Sequence, residues 1–185
     1  MQPEADSLKG QLLVASPALL DPNFRRAVVL VTEHSEEGAM GLVLSRPTPA
    51  EVADAAPPLE ALVDEGARVF VGGPVEPAAV VVLAEFEDPD EAAALVFEDV
   101  GFVSADVATG EEPPAIRRAR VFAGYAGWGP GQLEAELEEP SWIVEPALRE
   151  DVFADEPEGL WSGVLRRKGG QFALLATMPP DPSVN

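Results

Sequence analysis

Apolar residues along this chain occur in short runs separated by turn-forming residues, a pattern typical of β-strands. The run at 11–15 is bounded by glycine and proline, and the β-branched run at 27–32 is typical of a strand buried on both faces. A short polar loop that ends in Gly38 separates this run from the next apolar run. We therefore predict a β-hairpin of residues 27–33 against 39–45.

The rest of the chain continues the pattern, with more strands than helices and no regular alternation of the two. The chain contains 16 glycines and 19 prolines, which favours turns, bulges and sharp corners, as in partly closed barrels. After a disordered tail at 1–8, we predict a single α+β domain at 9–185, with a mostly antiparallel, curled sheet (a partial barrel) and a few outer helices. Further predicted elements are strands at 68–72, 78–84, 121–125 and 142–144, another strand or a hairpin at 95–103 interrupted by Gly101, helical turns near 50–55 and 59–63, an acidic loop at 85–91, and helices at 132–139 and 158–167.

The chain is strongly acidic, because 33 Asp and Glu residues stand against 12 Lys and Arg residues, giving a net charge of −21 at pH 7. A molecule this negative repels nucleic acid phosphates and anionic lipid head groups. We therefore expect neither direct nucleic acid binding nor membrane binding. Two basic clusters, at 117–120 and 166–168, are candidates for a local exception, and we interpret each as a solvated helix end or strand edge.

The chain has no cysteine and one histidine, His34. Disulfides, thiolate nucleophiles, zinc–thiolate sites and multi-histidine metal centres are therefore excluded, and we expect neither a metal nor a cofactor. The first residues contain no basic and no apolar segment of the kind that begins a signal peptide. We expect a cytoplasmic protein.

The most unusual segment is the glycine-rich stretch 124–132, which we predict to be a loop that opens a helix. Glycines allow the backbone to approach a ligand closely, and the first amides of a helix carry a partial positive charge, so an anion or carboxylate fits here. The alternative is a structural corner in which the glycines permit tight turns and Trp128 fills the core. The candidate ligand-binding residues of this segment are Gly124, Tyr125, Trp128, Gly131 and Gln132.

A second glycine corner lies at Gly72 and Gly73. It is either part of a ligand site or a simple tight turn. The segment 68–72 (RVFVG) is echoed at 120–124 (RVFAG), and both lead into sequence rich in Gly and Pro. The echo suggests two equivalent strand-to-loop corners.

Charged groups flank the predicted hairpin. Glu33 and His34 lie where its first strand enters the loop, and a histidine near a carboxylate can act as a general base. Alternatively, His34 holds the hairpin by hydrogen bonds. The guanidinium groups of Arg25 and Arg46 could recognise a carboxylate or phosphate, or they form ion pairs with nearby acidic residues.

The chain carries, in order, the motifs 15–26 (ASPALLDPNFRR), 33–34 (EH), 38–41 (GAMG), 46–47 (RP), 72–75 (GGPV), 124–128 (GYAGW) and 131–134 (GQLE). Together these motifs resemble the YqgE/AlgH family of bacterial proteins over about residues 8–180. The resemblance implies a single α+β domain and shared loops, but no settled reaction or cofactor, and some members carry the label of transcriptional regulators. One departure is Ser45, because relatives usually have Asn before the basic residue and proline that follow.

Three functions fit these observations. The first, which we favour, is a cytoplasmic binding module whose glycine corners and hairpin line one cleft for a small anionic ligand or a protein partner. It requires His34, Arg46 and Trp128 to lie on one face. The second is an enzyme with His34 as general base and the amino end of helix 132–139 as an oxyanion site. The third is a transcriptional regulator that acts through a partner rather than by direct DNA binding.

Overall fold

The computed structural model describes residues 7–178, and ten β-strands within them form one large, unclosed sheet. The α+β fold class predicted from the pattern is confirmed. The strands are β1 (Gln11–Ala15), β2 (Val28–Ser35), β3 (Gly38–Val43), β4 (Pro47–Glu51), β5 (Arg68–Val71), β6 (Val75–Phe86), β7 (Ala94–Phe97), β8 (Val100–Phe102), β9 (Ile116–Trp128) and β10 (Trp142–Pro146).

Short helices lie outside this sheet, and within the described residues none of them is long and apolar enough to span a bilayer. Turns of 3₁₀ helix lie at Pro57–Leu62, Pro89–Glu91, Ala105–Thr109 and Pro157–Gly159. The α-helices are α1 (Val52–Ala55), α2 (Gln132–Glu138), α3 (Arg149–Val152), α4 (Leu160–Lys168) and α5 (Gln171–Leu175).

The sheet follows the order β10-β1-β2-β3-β9-β6-β8-β7, and β5 lies beside β9 with β4 on its outer side. It is curled, because a Cβ on Gly10 beside β1 would lie only 3.1 Å from the Cβ of Phe97 in β7. The two ends of the sheet thus approach each other without pairing. Helices α4 and α5 contribute Val164, Leu165 and Phe172 to the main core on one face of the sheet.

The predicted hairpin is present as β2 and β3, with Val29 opposite Val43 and Ser35 opposite Gly38. The register shifts between Val31 and Glu33, which is a β-bulge. The hydroxyl of Ser45 accepts a hydrogen bond from the backbone N–H of Val28 (3.3 Å). Ser45, at the position where relatives usually have Asn, thus supports the base of the hairpin.

The two echoed segments, 68–72 and 120–124, lie side by side. Strands β5 and β9 are parallel, with Phe70 opposite Phe122 and the flanking residues in the same register. Only the first segment ends in a loop. The second continues through the predicted loop, because β9 extends to Trp128.

Strand β9 can continue because Gly124 adopts a left-handed conformation (φ +74°). Phe122 belongs to the main core and Tyr125 packs against the same core, although residues three apart on a regular strand face opposite sides. Gly124 therefore changes the side-chain alternation and lets one strand serve both halves of the sheet.

Other elements differ from the sequence-based expectation. The predicted acidic loop 85–91 begins inside β6, where the Glu85 side chain is buried and accepts a hydrogen bond from Arg118 (2.7 Å). Strand β4 and helices α3 and α5 lie outside the predicted elements, because they are four or five residues long and lack a clear periodicity.

Candidate functional site

The tip of the β2–β3 hairpin extends beyond β1 and packs against the end of β9. Ala39 lies opposite Trp128, whereas β1 pairs only with residues 28–30 of β2. Gly38 has a φ of +133°, and a Cβ there would lie 2.3 Å from the carbonyl oxygen of Trp128. This contact requires glycine, and it brings the hairpin tip onto Trp128.

A cleft of about 420 Å³ opens beside this tip, and we call it the hairpin cleft. Trp128 supplies an aromatic wall. The sequence-predicted residues Glu33, His34 and Trp128 therefore meet at one place. The charged and titratable residues that line the hairpin cleft are Lys9, Glu33, His34 and Glu37.

His34 is hydrogen-bonded at both ring nitrogens, and its side chain is only 8% exposed. Its Nδ1 accepts a hydrogen bond from the backbone N–H of Leu8 (3.0 Å), and its Nε2 lies 2.5 Å from Oε1 of Glu134 in α2. Because a backbone amide can only donate, we assign the proton to Nε2, which donates to Glu134. Neither nitrogen is free to take a proton from a substrate, so the geometry supports the hydrogen-bonding interpretation of His34 over the general-base hypothesis.

Glu134 adds a further carboxylate next to the hairpin cleft. Its hydrogen bond from His34, helped by its own backbone amide, holds the pKa of Glu134 below its ordinary value despite partial burial. The carboxylate is therefore ionised at neutral pH. Its negative charge reinforces that of Glu33 and Glu37 on the hairpin.

Trp128 is both a core residue and a cleft wall. Its side chain stacks with Phe24 at a ring-centroid distance of 6.3 Å and meets Trp142 edge-on at 6.2 Å. The two indole N–H groups donate to the same oxygen of Glu136 in α2, at 3.3 Å from Trp128 and 3.1 Å from Trp142. Glu136 thus fixes the indole ring that borders the cleft.

The turn into α2 is held by hydrogen bonds of the Gln132 side chain. The helix is seven residues long, and the Gln132 side chain accepts a hydrogen bond from the backbone N–H of Gly129 (3.0 Å). Its amide nitrogen donates to Glu136 (3.0 Å). Gly131 precedes the helix with a left-handed φ of +74°. Gln132 and Gly131 therefore shape the turn into α2, with carboxylates rather than cations nearby.

The two glycine corners contact each other rather than the hairpin cleft. A Cβ on Gly72 would lie 2.2 Å from the carbonyl oxygen of Gly124, and a Cβ on Gly73 would lie 2.1 Å from the carbonyl carbon of Tyr125. Gly72 and Gly73 are buried. The backbone approaches backbone here, which agrees with the structural-corner alternative.

Tyr125 is half-buried and packs against the main core. Its partial burial, together with the nearby carboxylate of Glu76, raises the pKa of the Tyr125 hydroxyl. Tyr125 does not line the hairpin cleft.

Arg46 holds the loop that precedes β2. Its guanidinium donates to the carbonyl oxygens of Asn23 and, at 2.9 Å, of Arg25. Burial lowers the pKa of Arg46, with a nearby carboxylate acting in the opposite sense. Arg25 is exposed on this loop, whereas Phe24 reaches Trp128. Arg46 thus supports the aromatic cluster behind the cleft but does not line the cleft.

Three arginines of the two basic clusters are engaged within the molecule. Arg118 binds Glu85 at 2.7 Å, and Arg167 binds the buried carboxylate of Asp151 at 2.7 Å. Arg120 donates to two backbone carbonyl oxygens at the end of α3. These arginines are committed to intramolecular contacts.

Sequence reasoning missed several residues around the cleft. Leu8 and Lys9 lie at the border of the predicted tail, whose first six residues are outside the described part of the chain. Glu134 and Glu136 belong to an acidic stretch that is equally typical of a solvated helix face. The spacing of Gln132 and Glu136, four residues apart on one helix face, was a detectable signal for a contact within α2.

Comparison with other proteins places this arrangement in a family. A family model described as AlgH-like matches residues 12–173. The UPF0301 protein SCO2948 of Streptomyces coelicolor is 47% identical over 188 residues, covering 98% of this chain and 97% of that protein. A UPF0301 protein of Thermobifida fusca is 42% identical over 190 residues, covering 97% of this chain and 96% of that protein.

Two solved structures are similar in fold and sequence. The crystal structure of DIP2367 from Corynebacterium diphtheriae has a TM-score of 0.83 at 30% identity, covering 96% of this chain and 94% of that one. The solution structure of AlgH from Pseudomonas aeruginosa has a TM-score of 0.69 at 31% identity, covering 97% of this chain and 98% of that one. The resemblance drawn from the motifs is thus confirmed, and the chain belongs to the AlgH-like family.

Proposed function

We propose that this protein is a binding module that takes a cationic segment of a partner protein at the hairpin cleft. The observation that carries the proposal is the combination of Glu33 and Glu37 with the wall formed by Trp128. A lysine or arginine side chain suits such a site, because carboxylates neutralise its charge and an indole ring covers its apolar stem or attracts its cationic head.

The same geometry favours a cationic partner over a small anionic ligand. The guanidinium of Arg46 is bonded to backbone carbonyls, and α2 itself carries the carboxylates of Glu134 and Glu136. The charged side chains that line the cleft include two glutamates, Glu33 and Glu37, and one lysine, Lys9. The net charge of −21 adds long-range attraction for a cationic partner and repulsion for an anion.

A protein partner is also supported over DNA as the ligand. In the basic clusters at 117–120 and 166–168, Arg118 binds Glu85, Arg167 binds Asp151 and Arg120 donates to backbone carbonyls. A regulatory role in transcription, under this proposal, is exerted through the bound partner.

A peptide-binding experiment tests the proposal. The probe is a five-residue oligolysine peptide at 0.1 M salt, with an oligoglutamate peptide of the same length as the negative control. The double variant Glu33→Gln/Glu37→Gln is expected to bind oligolysine about fivefold more weakly, since each partly exposed ion pair contributes roughly 0.5 kcal/mol. The matched control, Glu111→Gln/Glu112→Gln, removes the same charge from an exposed loop and is expected to change the dissociation constant less than about twofold.

The position of the bound peptide is read from the indole N–H resonances. The Trp128 resonance is expected to move during the titration. Trp161, whose buried indole donates to the carbonyl of Ala15 (2.8 Å), is expected to stay in place. Equal weakening in both double variants would mean that only the net charge attracts the peptide, and the proposal would then be wrong.

A further inference from the structure

We infer that the N-terminal segment 7–9 is a pH-sensitive strap on the hairpin cleft. The strap is released when Nδ1 of His34, which holds it, is protonated. The inference rests on the proposed function, because it concerns the regulation of that same cleft. It goes beyond that function by giving the only histidine of the chain a role in gating the site.

The strap is attached to His34 at two points. The backbone N–H of Leu8 donates to Nδ1 of His34 (3.0 Å), and the hydroxyl of Ser7 donates to the His34 carbonyl oxygen (3.3 Å). Behind the strap, the N–H of Gly10 donates to the carbonyl oxygen of Val31 (2.9 Å) in the sheet. The strap is therefore bound to the sheet at its Gly10 end and to an imidazole nitrogen of His34 at Leu8.

The strap borders the cleft with a charged side chain. Lys9 lines the hairpin cleft together with Glu33 and Glu37. Its ammonium group is of the same chemical kind as the cationic side chain proposed as ligand. With the strap in place, Lys9 opposes the entry of a second cation.

Protonation of His34 affects its two hydrogen bonds in opposite ways. A proton on Nδ1 turns that atom from acceptor to donor, so the bond from the Leu8 amide is lost. The bond from Nε2 to Glu134 persists and becomes charge-assisted on both sides, which strengthens it. The attachment of the strap is thus broken while the attachment of α2 is tightened.

Charged groups lie near His34 on three elements of the structure. Glu134 faces it from α2, and Glu33 and Glu37 lie on the hairpin that carries it. Lys9 carries the opposite charge and lies on the strap itself. Three carboxylates and one ammonium group therefore lie around the imidazole to which the strap is attached.

Amide exchange of the full chain tests the strap without any ligand. The protein is labelled with ¹⁵N, and the His34 ring nitrogens and the exchange protection of backbone amides are followed from pH 8 to pH 5. Protection of the Leu8 amide is expected to fall roughly fivefold in step with protonation of His34, the effect of losing one hydrogen bond. Protection of the Gly10 amide, which bonds within the sheet, is expected to stay constant.

The variant Glu134→Gln provides a second readout. Removing this carboxylate takes away a group that favours the imidazolium, so His34 protonation and the loss of Leu8 protection are expected to move together to lower pH. Glu134 is half exposed, with 51% of its side chain accessible, so the substitution leaves the core intact.

Any one of three results would contradict the inference about the strap. Leu8 protection could stay unchanged while His34 titrates, His34 could stay neutral until the protein unfolds, or Gly10 could lose protection equally. If oligolysine fails to bind but Leu8 is released as expected, the proposed function is wrong and the inference about the strap still holds.

Discussion

Gly72 and Gly124 meet backbone to backbone, and a Cβ on Gly72 would lie 2.2 Å from the Gly124 carbonyl oxygen. At the same point, the N–H of Gly72 donates to the carbonyl of Ala123, and its own carbonyl accepts from Val43 (both 2.8 Å). Strands β3, β5 and β9 are joined here. The contact therefore holds together the half of the sheet that carries the hairpin and the half built on β6.

The first prediction follows from this contact. The substitution Gly72→Ala is expected to lower the free energy of unfolding by about 3 kcal/mol or more, because a backbone carbonyl cannot move out of the way as a flexible side chain can. Urea denaturation followed by circular dichroism measures the change.

The matched control is Gly163→Ala in α4. Gly163 is exposed, and a Cβ there would have no atom within 4 Å outside its own helix backbone and chain neighbours. Alanine is therefore expected to stabilise the helix by roughly 0.5–1 kcal/mol. Equal effects of the two substitutions would contradict the close contact at Gly72.

The second prediction concerns acid. Burial acts to raise the pKa of Asp99, but the hydrogen bond and charge of Arg149, with the charge of Arg117, outweigh it and hold the pKa below its ordinary value of 3.8. A carboxylate with a depressed pKa in the folded state stabilises the protein fully above its unfolded pKa, and this contribution is lost as the pH falls through the folded value.

The variant Asp99→Asn is therefore expected to destabilise the protein at pH 7, and the difference from the wild type is expected to shrink below about pH 3.8. Urea midpoints at pH 7, 5, 4 and 3 measure it. Glu112→Gln, on an exposed loop, serves as a control with a smaller difference at pH 7. A penalty for Asp99→Asn that is constant down to pH 3 would show that the ion pairs of Asp99 do not stabilise the fold.

The third prediction concerns salt. A net charge of −21 opposes the compact state by self-repulsion, and dissolved salt screens it. Salt also weakens ion pairs such as Arg149–Glu98 (3.0 Å), but exposed pairs contribute at most about 1 kcal/mol each. We expect the melting temperature to rise with NaCl and to level off once the Debye length falls to about 8 Å, near 0.15 M. A falling melting temperature in a thermal-shift series would show that the ion pairs dominate.

Some of the site could be predicted because its signals are local. Two apolar runs around Gly38 predict the hairpin, and the echo of 68–72 at 120–124 points to related positions that turn out to be parallel neighbours in the same register. The end of β9 could not be predicted, because glycines at 124 and 127 are equally typical of a loop. Pairing of Gly127 with Met40 in β3 decides that this segment is a strand.

The amino-acid sequence by itself determined the fold class, the hairpin, the family and the absence of cysteine chemistry. These follow from residue types and from spacings of a few residues, for which the physical cause is short-range. Only the tertiary structure decided that His34 meets Glu134, one hundred residues further along the chain, and that Leu8 is bound to the same ring. It also decided that Gly72 and Gly124 face each other rather than a ligand. Such contacts depend on how the sheet curls, and the curl results from packing over the whole sheet rather than from any one segment.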